Sequence, residues 1–224
     1  MREIFHRTKN GCGHRQIHMC LRHEFGFTIA KKTVLKVMRE LKLICEIRKK
    51  GFRKYSSFKG AKIYLPNIID RNFTAELPFR KCGTDVTEFS LSFGKAYLAP
   101  IIDFCTNEIV AFSISQRPDM KQQMELLRRF EKYLPKRVNT ILHSDMGWQY
   151  QHAHWQNCLK NHNIIQSMSR KGNCLDNAAT EQVFGHLKDE FFKNQNWTNF
   201  QSFKADLTKY ISHWNHKRRQ ERLL

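Results

Sequence analysis

Three carboxylates in this sequence stand where a charged side chain needs a reason. Asp85 falls inside a β-branched run, flanked by Thr84, Val86 and Thr87, and an ionised carboxylate is disfavoured in a sheet and costly to bury unpaired. Asp145 follows the apolar stretch VNTILHS and precedes Gly147, the kind of strand end at which α/β sheets place ligands. Glu181 lies off the stripe formed by Thr180, Val183, Phe184, Leu187 and Phe191 on a helix expected over 177–193. On a wheel of about 100° per residue, Lys188 returns to within about 20° of Glu181, with Gly185 between them. Oxygen ligands from three separate elements suit Mg²⁺, a hard cation that takes few protein carboxylates plus water and substrate phosphate, with Mn²⁺ as its substitute. Two such ions about 4 Å apart activate the attacking oxygen and stabilise the leaving one in phosphoryl transfer. Spacing alone does not carry that reading. Among 20 acidic residues a pair separated as Asp145 and Glu181 are arises readily by chance, and any one acid taken singly reads more readily as a cap, a turn or a surface charge.

The elements that must hold these acids follow from periodicity. KCGTDVTEF (81–89), KAYLAPIIDF (95–104) and EIVAFSIS (108–115) are rich in β-branched and aromatic residues and are joined by short turns with Gly94 or Asn107, a pattern that predicts an antiparallel meander. Helical spacing follows at 119–134, with Met120, Met124, Leu127 and Leu134 on its apolar side. A buried strand is expected at 138–145, a helix at 152–161, a strand at 164–169 and the helix at 177–193. A last amphipathic helix runs from Phe203 through Leu207, Tyr210, Ile211 and Trp214. Strand and helix alternating after a meander imply a mixed α/β domain with parallel pairings in its second half. Gly83 in the first strand suggests a bulge. His143, Trp148 and Gln149 read either as packing beside the strand end or as groups that position Asp145 or a DNA strand. Arg170, Lys171 and Asn173 are candidates to touch phosphate, or simply a turn before the Glu181 helix, with Asp176 or Asn177 capping it.

Charge marks a second part. The 224 residues carry 39 Lys+Arg against 20 Asp+Glu, a net +19, and up to Arg71 the count is 18 against 5. A basic front third and a nearly balanced body read as a nucleic-acid grip joined to something else. Within that front third, His14–Phe25 and Lys31–Leu41 have helical spacing around a short connection with Gly26. Lys32, Lys36 and Arg39 lie off the second helix's apolar stripe, so a helix-turn-helix fits, as does an ordinary helical hairpin with a solvated basic face. The expected organisation is a helix-turn-helix segment over 1–46, a basic linker over 47–75 and a catalytic core over 76–224.

Other chemistries find little support. Seven scattered Cys, none spaced C-x-x-C, fit reduced thiols in a cytosol. His14, His18, Cys20 and His23 lack the paired spacing of a structural zinc site, and no phosphate-binding G-x-x-x-x-G-K-[ST] loop is present. No apolar run approaches the roughly 20 residues needed to cross a bilayer, and the densest basic run, RKKGFRKY, is too short for a membrane anchor.

Longer motifs around the acids add a family. TDVTEF (84–89), HSDMGWQYQH (143–152) and SMSRKGNCLDNAATEQVFGHLKDE (167–190) resemble the catalytic blocks of DDE transposases, specifically the second reading frame of the insertion-sequence-three family, relatives of retroviral integrase. GCGHRQI (11–17) through VMRELKL (37–43) is similar to that family's helix-turn-helix segment, and WNHKRR (214–219) to its late Trp/Tyr-Asn-x-x-Arg element. The resemblance implies a ribonuclease-H-like mixed sheet flanked by helices, Asp85, Asp145 and Glu181 as metal ligands, and Lys188 as a cation near the cleaved DNA end. It implies double-stranded DNA as substrate, a homo-oligomer on DNA, a separate upstream-frame product as partner, and copy-type transposition through a circular intermediate. Cys82 and Gly83 depart from the family, which usually has a tryptophan before the Thr-Asp pair. The family pattern also leads to the expectation of a further tail past Leu224. The alternative readings are therefore a catalytically silent DNA-binding remnant, or a general nuclease of the same fold.

Overall fold

The computed structural model describes residues 1–7, 11–45, 65–135, 138–170 and 173–220. These fall into two compact units, one drawn from Met1–Arg53, Phe184–Asn196 and His216–Leu224, the other from Lys54–Val183 and Trp197–Asn215.

In the first unit, a short helix α1 (Arg2–Phe5) precedes α2 (His14–Phe25) and α3 (Lys31–Glu40), the two helices expected from periodicity. Ile4, Phe5, Ile17, Cys20, Val34 and Met38 form their common core. Gly26 ends α2 with φ +70°, and the Phe27 N–H reaches back to the Leu21 carbonyl at 2.9 Å. That left-handed cap suits a residue without Cβ. Lys31, Lys32, Lys36 and Arg39 line the exposed side of α3. The same unit holds a wide, π-type turn over Lys188–Phe192, where a regular helix to Lys193 was expected. The regular helix, α7 (Ala178–Leu187), stops because the next turn points charge inward: buried Glu190 takes both arms of Arg218 at 2.8–3.2 Å.

The second unit is built on a mixed sheet. Its strands are β1 (Lys81–Thr84), β2 (Thr87–Leu91), β3 (Gly94–Asp103), β4 (Ile109–Ser115), β5 (Ile141–Ser144) and β6 (Ile165–Met168). β4 lies along one edge of β3, while β2 and β1 share the other. β1, β5 and β6 then run parallel. The expected first strand over 81–89 is thus two strands with Asp85 and Val86 between them. The register does not slip across the break: Thr84 faces Ile101 and Thr87 faces Leu98, so Asp85 faces Pro100. Proline has no N–H to give the ladder at that point, and the Pro100 carbonyl instead accepts the Thr84 hydroxyl at 2.8 Å. The bulge expected at Gly83 is absent, and the irregularity falls between Ile101 and Ile102 opposite β4.

Helices cover both faces, which is why β3 is buried along eight consecutive residues. On one face lie α4 (Met120–Glu131), a short α5 (Trp148–Gln151) and α6 (Ala153–Asn161). Leu126, Leu127 and Phe130 of α4 and Trp155 and Leu159 of α6 join the core with Ile101 and Leu142. The stripe of α4 is rotated from expectation, with Gln122 and Gln123 buried and Met120 and Met124 half-buried. Gln122 earns burial by donating to the Tyr97 and Ser113 carbonyls of neighbouring strands. Over Phe89 of β2 lies α8 (Phe200–His216), through Phe203 at 5.2 Å between ring centroids. Its end is clipped to the β3–β4 turn: Trp214 Nε1 donates to the Asn107 carbonyl at 2.9 Å, and the Asn215 amide pairs with both backbone groups of Ile109. Of the expected linker, 47–64 lies outside the described residues, and 65–75 packs onto this unit, with Ile69 buried and the Ile68 N–H bonded to Ser167 Oγ at 2.9 Å. Among the described residues no helix is long and apolar enough to cross a membrane.

Candidate active site

The parallel register of β1 and β5 brings two of the acids together. Gly83 stands beside His143, and Asp85 and Asp145 lie two residues beyond each, at the carboxyl ends of adjacent strands. Glu181 comes in from the first turn of α7. The three share one electrostatic environment. Burial, then the charge of Asp145, then that of Glu181 hold the Asp85 carboxyl well above the ordinary carboxylate range, against hydrogen bonds from the Val86 N–H and Asn177 that favour its charge.

Each acid is aimed by near neighbours. Asp85 Oδ1 accepts from the Val86 N–H at 2.7 Å and Oδ2 from Asn177 Nδ2 at 3.0 Å. Asp145 Oδ1 accepts from the Gly147 N–H at 2.8 Å. Glu181 depends on how closely α7 approaches β1, and Gly83 sets that approach. A Cβ at residue 83 would sit 2.4 Å from Phe104 Cζ and 2.6 Å from Thr180 Oγ1. Gly83 therefore answers a close helix–strand contact, next to the residue that precedes Glu181.

The start of α7 is tied down by a polar network. A single turn of 3₁₀ helix over Cys174–Asn177 leads into α7. Asp176, fully buried, takes Arg71 Nε at 2.9 Å on one oxygen, and the Arg170 N–H and Nε at 3.1 and 3.0 Å on the other. Arg170 also reaches Asp70. Burial opposes the Asp176 charge, yet Arg71 and Arg170 hold its carboxyl down to about 2. His143 Nε2 donates to the Asp176 carbonyl at 2.8 Å while Nδ1 meets Ser167 Oγ at 2.8 Å, and burial keeps the imidazole below its usual range. His143 is thus a brace between β5, β6 and the 3₁₀ turn. The roles of Asn177, Arg71 and Gly83 are not legible from local sequence because Asp85, Asp176 and Thr180, which they meet, lie about a hundred residues away. Asp176 and Asn177 were expected as caps; their side chains serve the clamp and Asp85 instead.

An all-oxygen trio of carboxylates is the donor set a hard divalent cation fits. Beside it, Asn177 Oδ1 and Thr180 Oγ1 are buried with no hydrogen-bond partner among the described residues, and the buried Tyr150 hydroxyl lies within reach of Thr84 and Gln149. Burial and the charges of Asp85 and Asp145 push the Tyr150 hydroxyl well above its ordinary range, so it stays a proton donor. Those polar atoms keep this end of the sheet from being a closed apolar core. Gln149 is buried next to Tyr150, and Trp148 is exposed.

The remaining candidates separate. Lys32, Lys36 and Arg39 lie on the exposed face of α3, and Lys188 opens the π-type turn; all four belong to the first unit. Arg170 belongs to the second unit and is committed to its clamp. Lys171 lies outside the described residues. Of the histidine–cysteine cluster, Cys20 is core and His18 Nε2 bonds to the Ile29 carbonyl; among the described residues no metal-spaced group forms there.

Comparison with known proteins converges on the same parts. An integrase core domain matches over 75–174 and again over 181–223, and an HTH-like domain over 1–51. The chain is 41% identical over 216 residues, 96% of its own length and 75% of the relative's, to the putative transposase InsK for insertion sequence element IS150 of Escherichia coli K12. To the transposase InsF for insertion sequence IS3A of the same organism it is 32% identical, covering 92% of this chain and 71% of that one. Among solved structures, a chain of the simian T-cell lymphotropic virus intasome, in complex with PP2A regulatory subunit B56 gamma, superposes with a TM-score of 0.55 at 16% identity, over 92% of this chain and 66% of that one. That likeness supports the ribonuclease-H-like, integrase-type fold. With most of two such transposases matched at 41% and 32% identity, the chain belongs to the IS3 family of DDE transposases, as the second-reading-frame product that carries the integrase core.

Proposed function

We propose that Asp85, Asp145 and Glu181 are the catalytic carboxylates of this transposase, that they hold Mg²⁺ with Mn²⁺ as substitute, and that the chain cuts and rejoins DNA at element ends. When bound, a pair of such cations supplies Lewis-acid activation of an attacking oxygen and charge neutralisation at the leaving one. The observation that carries the reading is the meeting of Asp85 and Asp145 at one register position, with Glu181 near enough to help hold the Asp85 carboxyl up. Asp85 and Asp145 present oxygens from strand ends braced by a sheet, and Asn177 turns Asp85. Tyr150 stays protonated beside Asp85 and Asp145, so it adds no third negative charge to them. In cleavage, water attacks a phosphodiester and frees a 3′-hydroxyl. In joining, that hydroxyl attacks a second phosphodiester, one P–O bond forming as another breaks, with no covalent protein–DNA intermediate.

Lys32, Lys36 and Arg39 grip the terminal repeat through its phosphates, and Lys188 and Lys171 contact DNA nearer the cut. Arg170 acts through Asp176 as a positioning residue. The roles divide as a helix-turn-helix segment over 1–46, a basic connection over 47–75 and a catalytic core over 76–224, acting in the bacterial cytoplasm at nucleoid DNA. A homo-oligomer synapses two ends, and an upstream-frame product joins the working complex.

The test is cutting of labelled duplexes by the full chain with Mg²⁺. Nicking at the terminal repeat to leave a 3′-hydroxyl, followed by joining, is expected. Equal cutting of RNA–DNA hybrids would indicate a general nuclease, and binding without cutting a silent remnant.

A further inference from the structure

Away from the three carboxylates, α4 and α6 bring together a trio of different chemistry. Glu131 is the last residue of α4, Cys158 lies within α6, and His162 follows the end of α6 four residues later, on the same helical face. Glu131 Oε1 is 3.6 Å from Cys158 Sγ and 3.3 Å from His162 Nε2, and all three atoms lie within 4.8 Å of one another. Tetrahedral zinc, with bonds of about 2.0–2.1 Å to nitrogen and oxygen and about 2.3 Å to sulfur, has edges of about 3.3 Å for N···O and about 3.5–3.6 Å for S···O. Both measured separations fit those edges.

The imidazole supplies a second, independent observation. The Cys158 carbonyl can only accept, so His162 Nδ1 donates to it at 2.8 Å. That bond fixes the tautomer and turns Nε2 toward Glu131, the arrangement by which an outer hydrogen bond orients a ligating histidine. Nε2 then lies 3.3 Å from the Glu131 carboxylate oxygen, a separation that a ring proton or a metal ion between them can bridge.

We infer that Glu131, Cys158 and His162 form a zinc-class metal site, separate from the catalytic carboxylates, with three protein ligands and a fourth position open to water. Sulfur and imidazole select a borderline-soft ion over Mg²⁺. Glu131 and His162 side chains are 29% and 39% exposed, which leaves an entry path. On binding, the S–H bond of Cys158 breaks, its proton goes to solvent and a sulfur–metal bond forms, with no change of oxidation state. The ion staples the end of α4 to the end of α6, on either side of β5 in the chain.

Cobalt(II) tests this directly, because only a sulfur ligand gives a thiolate-to-cobalt charge-transfer band. The full chain, stripped with chelator, is titrated with Co²⁺ and then with Zn²⁺. One equivalent of Co²⁺ is expected to raise the band and one of Zn²⁺ to remove it; Cys158→Ser abolishes the band, and His162→Gln, at an exposed position, weakens Co²⁺ binding at least tenfold. Glu181→Gln leaves the band unchanged. Absence of a sulfur band, one that survives Cys158→Ser, or Co²⁺ binding undiminished by His162→Gln overturns the assignment.

Discussion

At the scale of single residues, catalysis and stability pull against each other at Asp85. Its carboxyl is held above its ordinary range by burial and by Asp145 and Glu181. A carboxyl raised in the folded state contributes stability at low pH that is lost as pH rises through the raised value. Asp85→Asn removes that loss, and the new amide can pair with the free Asn177 Oδ1. In metal-free protein at neutral pH the variant is expected to melt about 2–5 °C higher than the parent, with a smaller gap at pH 4 and with saturating Mg²⁺. A melting point below the parent's in all three conditions would contradict the charge argument. Asp176 behaves oppositely. Held down to about 2, it stabilises the fold above about 3.8 and loses that contribution as pH falls toward 2. Asp176→Asn should cost about 1–2 kcal/mol at neutral pH, read by denaturant unfolding, and flatten the acid limb of the stability profile.

At the scale of elements, the site depends on how close α7 comes to β1. Gly83→Ala would force its methyl into Phe104 and Thr180. We expect a loss of about 1–3 kcal/mol, and a fall in turnover larger than any change in DNA affinity because Glu181 is displaced; adding Thr180→Ala and Phe104→Leu, which remove the atoms the methyl would meet, should recover part of both. Unchanged turnover in a folded Gly83→Ala protein would show that α7 is not gated there. The sequence also shows where element reading stops. Strands, helices and the acids themselves were legible from local pattern, since β-branched runs, apolar stripes and motif blocks are short-range signals. What was not legible depends on distant partners: Asp85 leaves the ladder because Pro100 faces it, Gly83 answers Thr180, and Arg71, expected within a linker, is held by Asp176 across 105 residues. The helix over 177–193 broke at Leu187 because Glu190 turns inward to Arg218, which no wheel predicts.

At the scale of the whole molecule, binding and chemistry are assigned to different units. The exposed cations of α3 are asked to hold phosphates, and the sheet's carboxylates to break and make P–O bonds. Replacing Lys32, Lys36 and Arg39 together by Ala should weaken terminal-repeat binding and lower the salt dependence of log K by about 2–3, while single-turnover cutting at saturating protein stays within a few-fold of the parent. A salt slope that does not move would remove α3 from the DNA interface. The central claim is that Asp85, Asp145 and Glu181 act as one unit, and single-turnover cutting and joining of a terminal-repeat duplex at fixed salt and Mg²⁺ tests it most directly. Asp85→Asn, Asp145→Asn and Glu181→Gln should each lose at least about 10³-fold with DNA affinity retained, and the triple variant should be little worse than any one of them. Near-parental joining by any one of the three single variants would contradict the account.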